Sequence, residues 1–150
     1  MRTECQLNRK EEAIFNALRL DSRRKLQEIS KCTNIPVSTA YDILNKLKER
    51  IICRFTIIPR FECIGFNTRA VMIIWPEKNR KDIIKKRICC MCQVNNMVFI
   101  DGCAFLIELI ARDNQELNSI VDRFESDSDI RDFKVHIILE DIKREDFIVR

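Results

Sequence analysis

Cys89, Cys90 and Cys92 stand within four positions, in the stretch "RICCMCQV". Thiols at that density suit three chemistries. A metal site needs about four ligands, and Cys103 is the only plausible addition. A redox pair needs two thiols within reach, and Cys89 and Cys92, three apart, would share a face on a continuing helix. Oxidation there would alter assembly. The third chemistry is packing, because cysteine behaves as a small hydrophobe. Packing in a core or interface is the leading expectation, and no metal or cofactor is expected. The only histidine is His136, in an alternating apolar stretch near the end. Its neighbours Val135 and Ile137 should point the other way, so it sits on a sheet face rather than in a catalytic centre. No P-loop, GxGxxG or Ser/His/Asp pattern is present. The chain reads as a non-enzyme.

The totals agree with an ordered protein. At 150 residues the chain fits one domain or two small ones, and such a fold buries about 70% of its unfolded surface. Hydrophobic residues make up 46%, with two Gly and three Pro, which excludes a disordered chain. No apolar run approaches the roughly 18 residues of a membrane span. The N-terminal "MRTECQLNRKEE" lacks the apolar region of a signal peptide. A cytoplasmic chain is expected, where thiols stay reduced and eight cysteines form no disulfide framework.

Charge is unevenly spread. Residues 1–66 carry 13 Lys/Arg against 8 Asp/Glu, a net +5, and residues 67–150 carry 14 against 15. A basic first half suits an anionic partner.

Three helices fit that half. "NRKEEAIFNALRL" sets Ala13, Ile14, Ala17, Leu18 and Leu20 on one face, with Asn8 and Glu11 spaced as a capping box. After the break "DSRR", "KLQEISKC" sets Leu26, Ile29 and Cys32 at helical spacing. After "TNIP", "VSTAYDILNKLKER" carries the stripe Ala40, Ile43, Leu44 and Leu47. A short break between the last two helices describes a helix-turn-helix unit, with the third as its reading helix. The core stripe turns Ser38, Tyr41, Asp42, Asn45 and Glu49 outward. Ser and Asn can bond base edges, and Lys46, Lys48, Arg50, Arg23, Arg24 and Lys25 suit phosphates. Asp42 could accept from a cytosine amine, cap the helix or pair with Lys46. "IICRFTII" is β-rich and predicts a wing strand, with Arg54 able to reach a phosphate. Plain helical modules that bind protein share this spacing.

The second half reads strand, helix, strand, strand, helix, strand. "TRAVMIIW" is the first strand, and "PEKNRKDIIKKRICC" is a helix with Ile83, Ile84 and Ile88 inward. Two apolar runs flank Asp101-Gly102, predicting a two-residue hairpin. Asp113 and Glu116 open a helix with Leu117, Ile120, Val121 and Phe124 inward. Phe133, Val135, Ile137 and Leu139 alternate along a final strand. This order is that of a split βαβ, ferredoxin-like sheet with both helices on one side.

The run from Glu11 to Phe66 resembles the DNA-binding half of Lrp/AsnC (leucine-responsive, feast/famine) transcription regulators. The matching residues are Ser38, Thr39, Ile52, Phe55, Pro59, Ile64 and Gly65; a glycine common after the reading helix is Ile51 here. The second half resembles the same family's effector domain, down to the ending "KVHIILEDIKRE". The resemblance implies an α+β chain: a winged helix-turn-helix over 1–60, a linker over 61–68 and a ferredoxin-like βαββαβ (RAM-type) domain over 69–150. It implies double-stranded DNA as partner, met through Ser38, Thr39, Tyr41, Asp42, Asn45, Lys46, Lys48, Arg23, Arg24, Lys25 and Arg54. It implies a homodimer, or a tetramer or octamer built from it, and no membrane. It also implies a small-molecule effector between subunits near Asp101, Gly102, Cys103 and Phe105. Phe105 stands where the family often carries Asp, so a carboxylate for an amino group is missing unless Asp101 supplies it. Some proteins of this layout are sirohaem decarboxylases, which use histidines that this chain lacks. The competing expectation is a ligand-binding or assembly module without DNA regulation, or a thiol-responsive regulator.

Overall fold

A computed structural model describes residues 6–149. The chain divides into two compact units, Met1–Ile58 with Ile142–Arg150, and Pro59–Asp141.

The first unit holds three helices, α1 (Arg9–Leu20), α2 (Leu26–Thr33) and α3 (Val37–Arg50). Local chemistry sets their ends. The Asn8 carboxamide accepts from the Glu11 N–H at 3.0 Å while the Glu11 carboxylate accepts from the Asn8 N–H at 2.9 Å. That reciprocal pair satisfies two of the donors a helix start leaves open. Asp21 ends α1, and its carboxylate accepts from the Arg23 N–H at 2.9 Å, holding the turn of the "DSRR" break. Asn34 closes α2 in the left-handed region at φ 56, which Asn tolerates, and Pro36 opens α3. Ile14, Ala17 and Leu18 pack with Ile29, Ile35, Ala40, Ile43 and Leu47 as one core. Leu20, expected on the stripe, is 65% exposed, because two residues past buried Leu18 the helix has turned it away from the core. Cys32 is likewise exposed.

The predicted wing strand is absent. Residues 52–60 form no ladder, and Phe55, Ile57 and Ile58 are exposed. Side-chain type favours a strand there, but no second segment of the described residues offers the backbone partner a strand requires.

The second unit is a four-stranded antiparallel sheet with two helices. Its elements are β1 (Thr68–Pro76), α4 (Lys81–Cys89), β2 (Val94–Ile100), β3 (Ala104–Ala111), α5 (Asn114–Glu125) and β4 (Ile130–Ile137), preceded by a 3₁₀ turn at Phe61–Ile64. The strand order is β2-β3-β1-β4. Alternation decides the faces. Ala70, Met72 and Ile74 of β1 and Phe105, Ile107 and Leu109 of β3 are buried beneath Ile84, Ile88, Leu117, Ile120 and Phe124 of both helices. Val71, Ile73, Trp75 and Leu106 occupy the other face, only half-buried. Asp113 caps α5 through the Glu116 N–H at 2.8 Å. Arg87 of α4 pairs with Asp127 and Asp129.

Three expectations change here. The hairpin holds three residues, since Ile100 pairs with Ala104. Gly102 and Cys103 both take positive φ, 67 and 59, and left-handed backbone costs a residue with a Cβ about 1 kcal/mol or more. The last strand ends at Ile137, and Leu139 lies beyond it at 94% exposure. Phe133 and Val135 do pack against the core. Ile83, expected inward, is 42% exposed, leaving Ile84 and Ile88 as the buried face of α4.

Candidate nucleic-acid interface

The candidate interface is built on α3. Ala40, Ile43 and Leu47 pin one face into the three-helix core at 0%, 8% and 1% exposure. The rotation of the helix then decides what faces water. Ser38, Tyr41, Asp42, Lys46, Lys48 and Glu49 are exposed. Thr39 and Asn45 are half-buried, so Asn45 is less available than the sequence suggests.

Two of the three roles considered for Asp42 fall away. It is the sixth residue of α3, too far along to cap its start. It also makes no ion pair with Lys46 among the described residues. Asp42 is exposed on this face.

The cations form two groups. Arg23, Arg24 and Lys25 stand at the start of α2, where the Lys25 N–H donates to Glu28 at 3.2 Å. Arg23 and Lys25 are exposed; Arg24 is half-buried, its guanidinium 3.7 Å from the Cys32 sulfur. Lys46 and Lys48 lie on α3, and the Lys48 ammonium sits 5.9 Å from the centre of the Phe55 ring. Arg54 is exposed on the segment after α3. The order along this part of the unit is Arg23–Lys25, α2, the turn at residues 34–36, then α3.

The chain is an α+β protein with an antiparallel four-stranded sheet, a fold it shares with solved structures. No family model matches the chain. An uncharacterised HTH-type transcriptional regulator of Pyrococcus horikoshii is 28% identical over 149 residues, 95% of this chain and 97% of that protein. Escherichia coli AsnC superposes with a TM-score of 0.81 at 15% identity, over 93% of this chain and 97% of that one. The Neisseria meningitidis transcriptional regulator NMB0573, in complex with L-Met, superposes with a TM-score of 0.86 at 17% identity, over 93% and 94%.

The chain has the Lrp/AsnC fold.

The resemblance to Lrp/AsnC regulators seen in the sequence therefore holds, and the Pyrococcus and Neisseria proteins are named transcriptional regulators. Within the Lrp/AsnC fold, the turn expected to meet an effector is split by the structure. Asp101, Gly102 and Cys103 are exposed. Phe105 is 2% exposed, in the core, with its ring centre 5.1 Å from that of Phe99. Strand parity explains the difference: Phe105 shares the helix-covered face with Ile107 and Leu109, two and four residues on. Phe105 thus shapes the turn from beneath and offers no lining surface.

The thiols also change place. Cys32, Cys53, Cys63, Cys89, Cys90, Cys92 and Cys103 are all free and exposed, so core packing does not account for them. Cys89 and Cys90 end α4 on the side away from Ile84 and Ile88, which take the buried positions. No cluster of three metal-ligating side chains occurs among the described residues.

Sequence reasoning missed one set of contacts in the first unit. Asn16 and Arg19, on α1, hold the backbone of residues 145–149. Nothing in the residue pattern signals a pairing 133 positions apart.

Proposed function

We propose that this chain is a sequence-specific DNA-binding transcription regulator of Lrp/AsnC type. The observation that carries the proposal is α3: a helix pinned by Ala40, Ile43 and Leu47 with Ser38, Tyr41, Asp42 and Lys46 free on the opposite side. Here α2 and α3 act as the helix-turn-helix and α3 reads the major groove, with Thr39 and Asn45 at its margins. Arg23, Arg24, Lys25, Lys46, Lys48 and Arg54 hold phosphates, and the net +5 of residues 1–66 draws the duplex in. The order β2-β3-β1-β4 suits a ferredoxin-like second domain.

The working form is a homodimer or a larger even assembly. The open sheet face with Val71, Ile73, Trp75 and Leu106, and the unpaired segment with Phe55, Ile57 and Ile58, are apolar surfaces a second copy would cover. Two copies would offer two α3 helices to half-sites roughly 10 base pairs apart. An effector between subunits, near Asp101, Gly102 and Cys103, would shift DNA affinity only if it binds two arrangements unequally. The Neisseria relative holds methionine; buried Phe105 leaves Asp101 as the one carboxylate of this turn to meet an amino group. No described helix is long and apolar enough to cross a membrane.

The test is a gel shift on DNA upstream of the chain's own gene. Binding that resists competitor DNA and falls steeply with salt is expected. No retention at low salt would remove the proposal.

A further inference from the structure

Helix α4 concentrates charge that the totals hide. Residues 78–87 carry six Lys/Arg against one Asp, so the near-neutral second half holds one strongly basic element. Part of that charge is matched. Arg87 bonds Asp127 and reaches Asp129 at 2.7 Å, and Arg80 Nε lies 3.3 Å from the other Asp129 oxygen. The second Asp127 oxygen accepts from the Asp129 N–H at 3.0 Å. Both carboxylates thus already have a partner on each oxygen. Arg123 differs. It stands in the last turn of α5, is exposed, and makes no ion pair among the described residues.

A cleft of about 140 Å³ lies beside it, lined by α4, α5 and the turns that follow them. Ile84, Ile88 and Phe124 contribute apolar lining from the core, at 1%, 1% and 6% exposure, and half-buried Met91 adds to it. Arg87, Asp127 and Arg123 line the same cleft. Its one carboxylate is bonded to Arg87, so the charge left over is the Arg123 cation. An aliphatic and aromatic cavity of about 150 Å³ is large enough for a benzene ring. A cation in the last turn of a helix also offsets the carbonyl end of that helix. That role needs no apolar hollow beside it.

We propose that this cleft binds a small carboxylate with an apolar body, an aryl or branched-chain acid. The body enters beside Ile84, Ile88, Met91 and Phe124, and the carboxylate meets Arg123 in a charge-assisted pair. Apolar burial supplies affinity, and the guanidinium selects the sign of the ligand. The basic stretch of α4 adds a field that favours an anion. A free amino acid fits less well, because its ammonium would stand among Arg87 and Arg123 with Asp127 already bonded. The lining includes none of Asp101, Gly102 and Cys103, so the cleft is a second ligand site within the sheet unit. It does not depend on the DNA-regulator reading.

The experiment titrates the full chain, without DNA, with benzoate, isovalerate, benzamide and leucine at one ionic strength. Methyl NMR of Ile84, Ile88 and Met91 reads the site. Both anions are expected to shift these methyls saturably, with half-saturation at about 1 mM or below. Benzamide and leucine are expected to bind at least about tenfold more weakly. Arg123→Gln alters an exposed side chain and is expected to weaken both anions about tenfold while leaving benzamide unchanged. Met91→Phe fills the cleft, keeps Arg123, and is expected to weaken both anions as well. Shifts centred on Gly102, or none at the three methyls, would overturn the cleft as the site. Leucine or benzamide bound as tightly as the anions, or benzoate bound equally by wild type and Arg123→Gln, would overturn the ligand class.

Discussion

Arg69 on β1 and Glu108 on β3 are diagonal neighbours across the strand pair, with Nη2 2.6 Å from Oε1 and side chains 12% and 15% exposed. Phe61 lies under the same guanidinium at 5.4 Å, and Asn95 donates to the second Glu108 oxygen at 2.6 Å. Arg69 Nε is buried with no hydrogen-bond partner among the described residues. A charge this enclosed depends on the partners it has. Glu108→Gln is expected to lower stability by about 1–3 kcal/mol, read by urea unfolding of the full chain. An unchanged midpoint would mean that water already screens the pair.

The Arg69 pair also makes a pH statement. Bonding to Asp141, then to Glu108, raises the Arg69 pKa while burial opposes it. A folded pKa raised above the unfolded value gives stability that is complete below the unfolded value and is lost only in strong alkali. The stability difference between wild type and Arg69→Met is therefore expected to stay constant from roughly pH 7 to 10. A steep decline across that range would show that another group titrates with the pair.

Asp42 separates two ways of meeting DNA. If it reads a base amine, Asp42→Asn relaxes preference at one position and costs about 1–3 kcal/mol there. If it only repels phosphate, the same change tightens binding to every sequence. The exposed setting and the missing Lys46 pair favour the first outcome, checked by anisotropy against a panel of single-base changes.

What the sequence made legible was local. Asn8 with Glu11, and Asp113 with Glu116, read correctly because a cap is decided within four residues. The core stripes of α3 and α5 followed from period alone. What failed was decided at long range. Residues 52–60 have strand composition and no strand partner among the described residues, Leu139 alternates correctly beyond the end of its ladder, and Phe105 sits beside a turn yet faces the core. The hold of Asn16 on Val149 carries no pattern at all. The helix α3 was legible, while the depth of Asn45 within it needed the packing of three helices.

The thiols give a direct check on exposure. At least the seven described cysteines are expected to react with a thiol reagent in the native protein without denaturant. A native count well below seven would place Cys89, Cys90 and Cys92 under a second copy, and dilution should then release them.

Lys46 tests the central claim. It is exposed on α3 and suits a phosphate, so Lys46→Ala is expected to weaken binding to all sequences alike and to lower the salt slope by about one. The decisive measurement is the affinity of wild type and Lys46→Ala for DNA upstream of the chain's own gene, across a salt series. A wild-type complex that resists competitor DNA, with the variant weaker and its slope shallower, is the predicted result. Equal affinities and equal slopes for the two proteins, or no wild-type complex at low salt, would contradict the assignment of α3 as the DNA-reading helix.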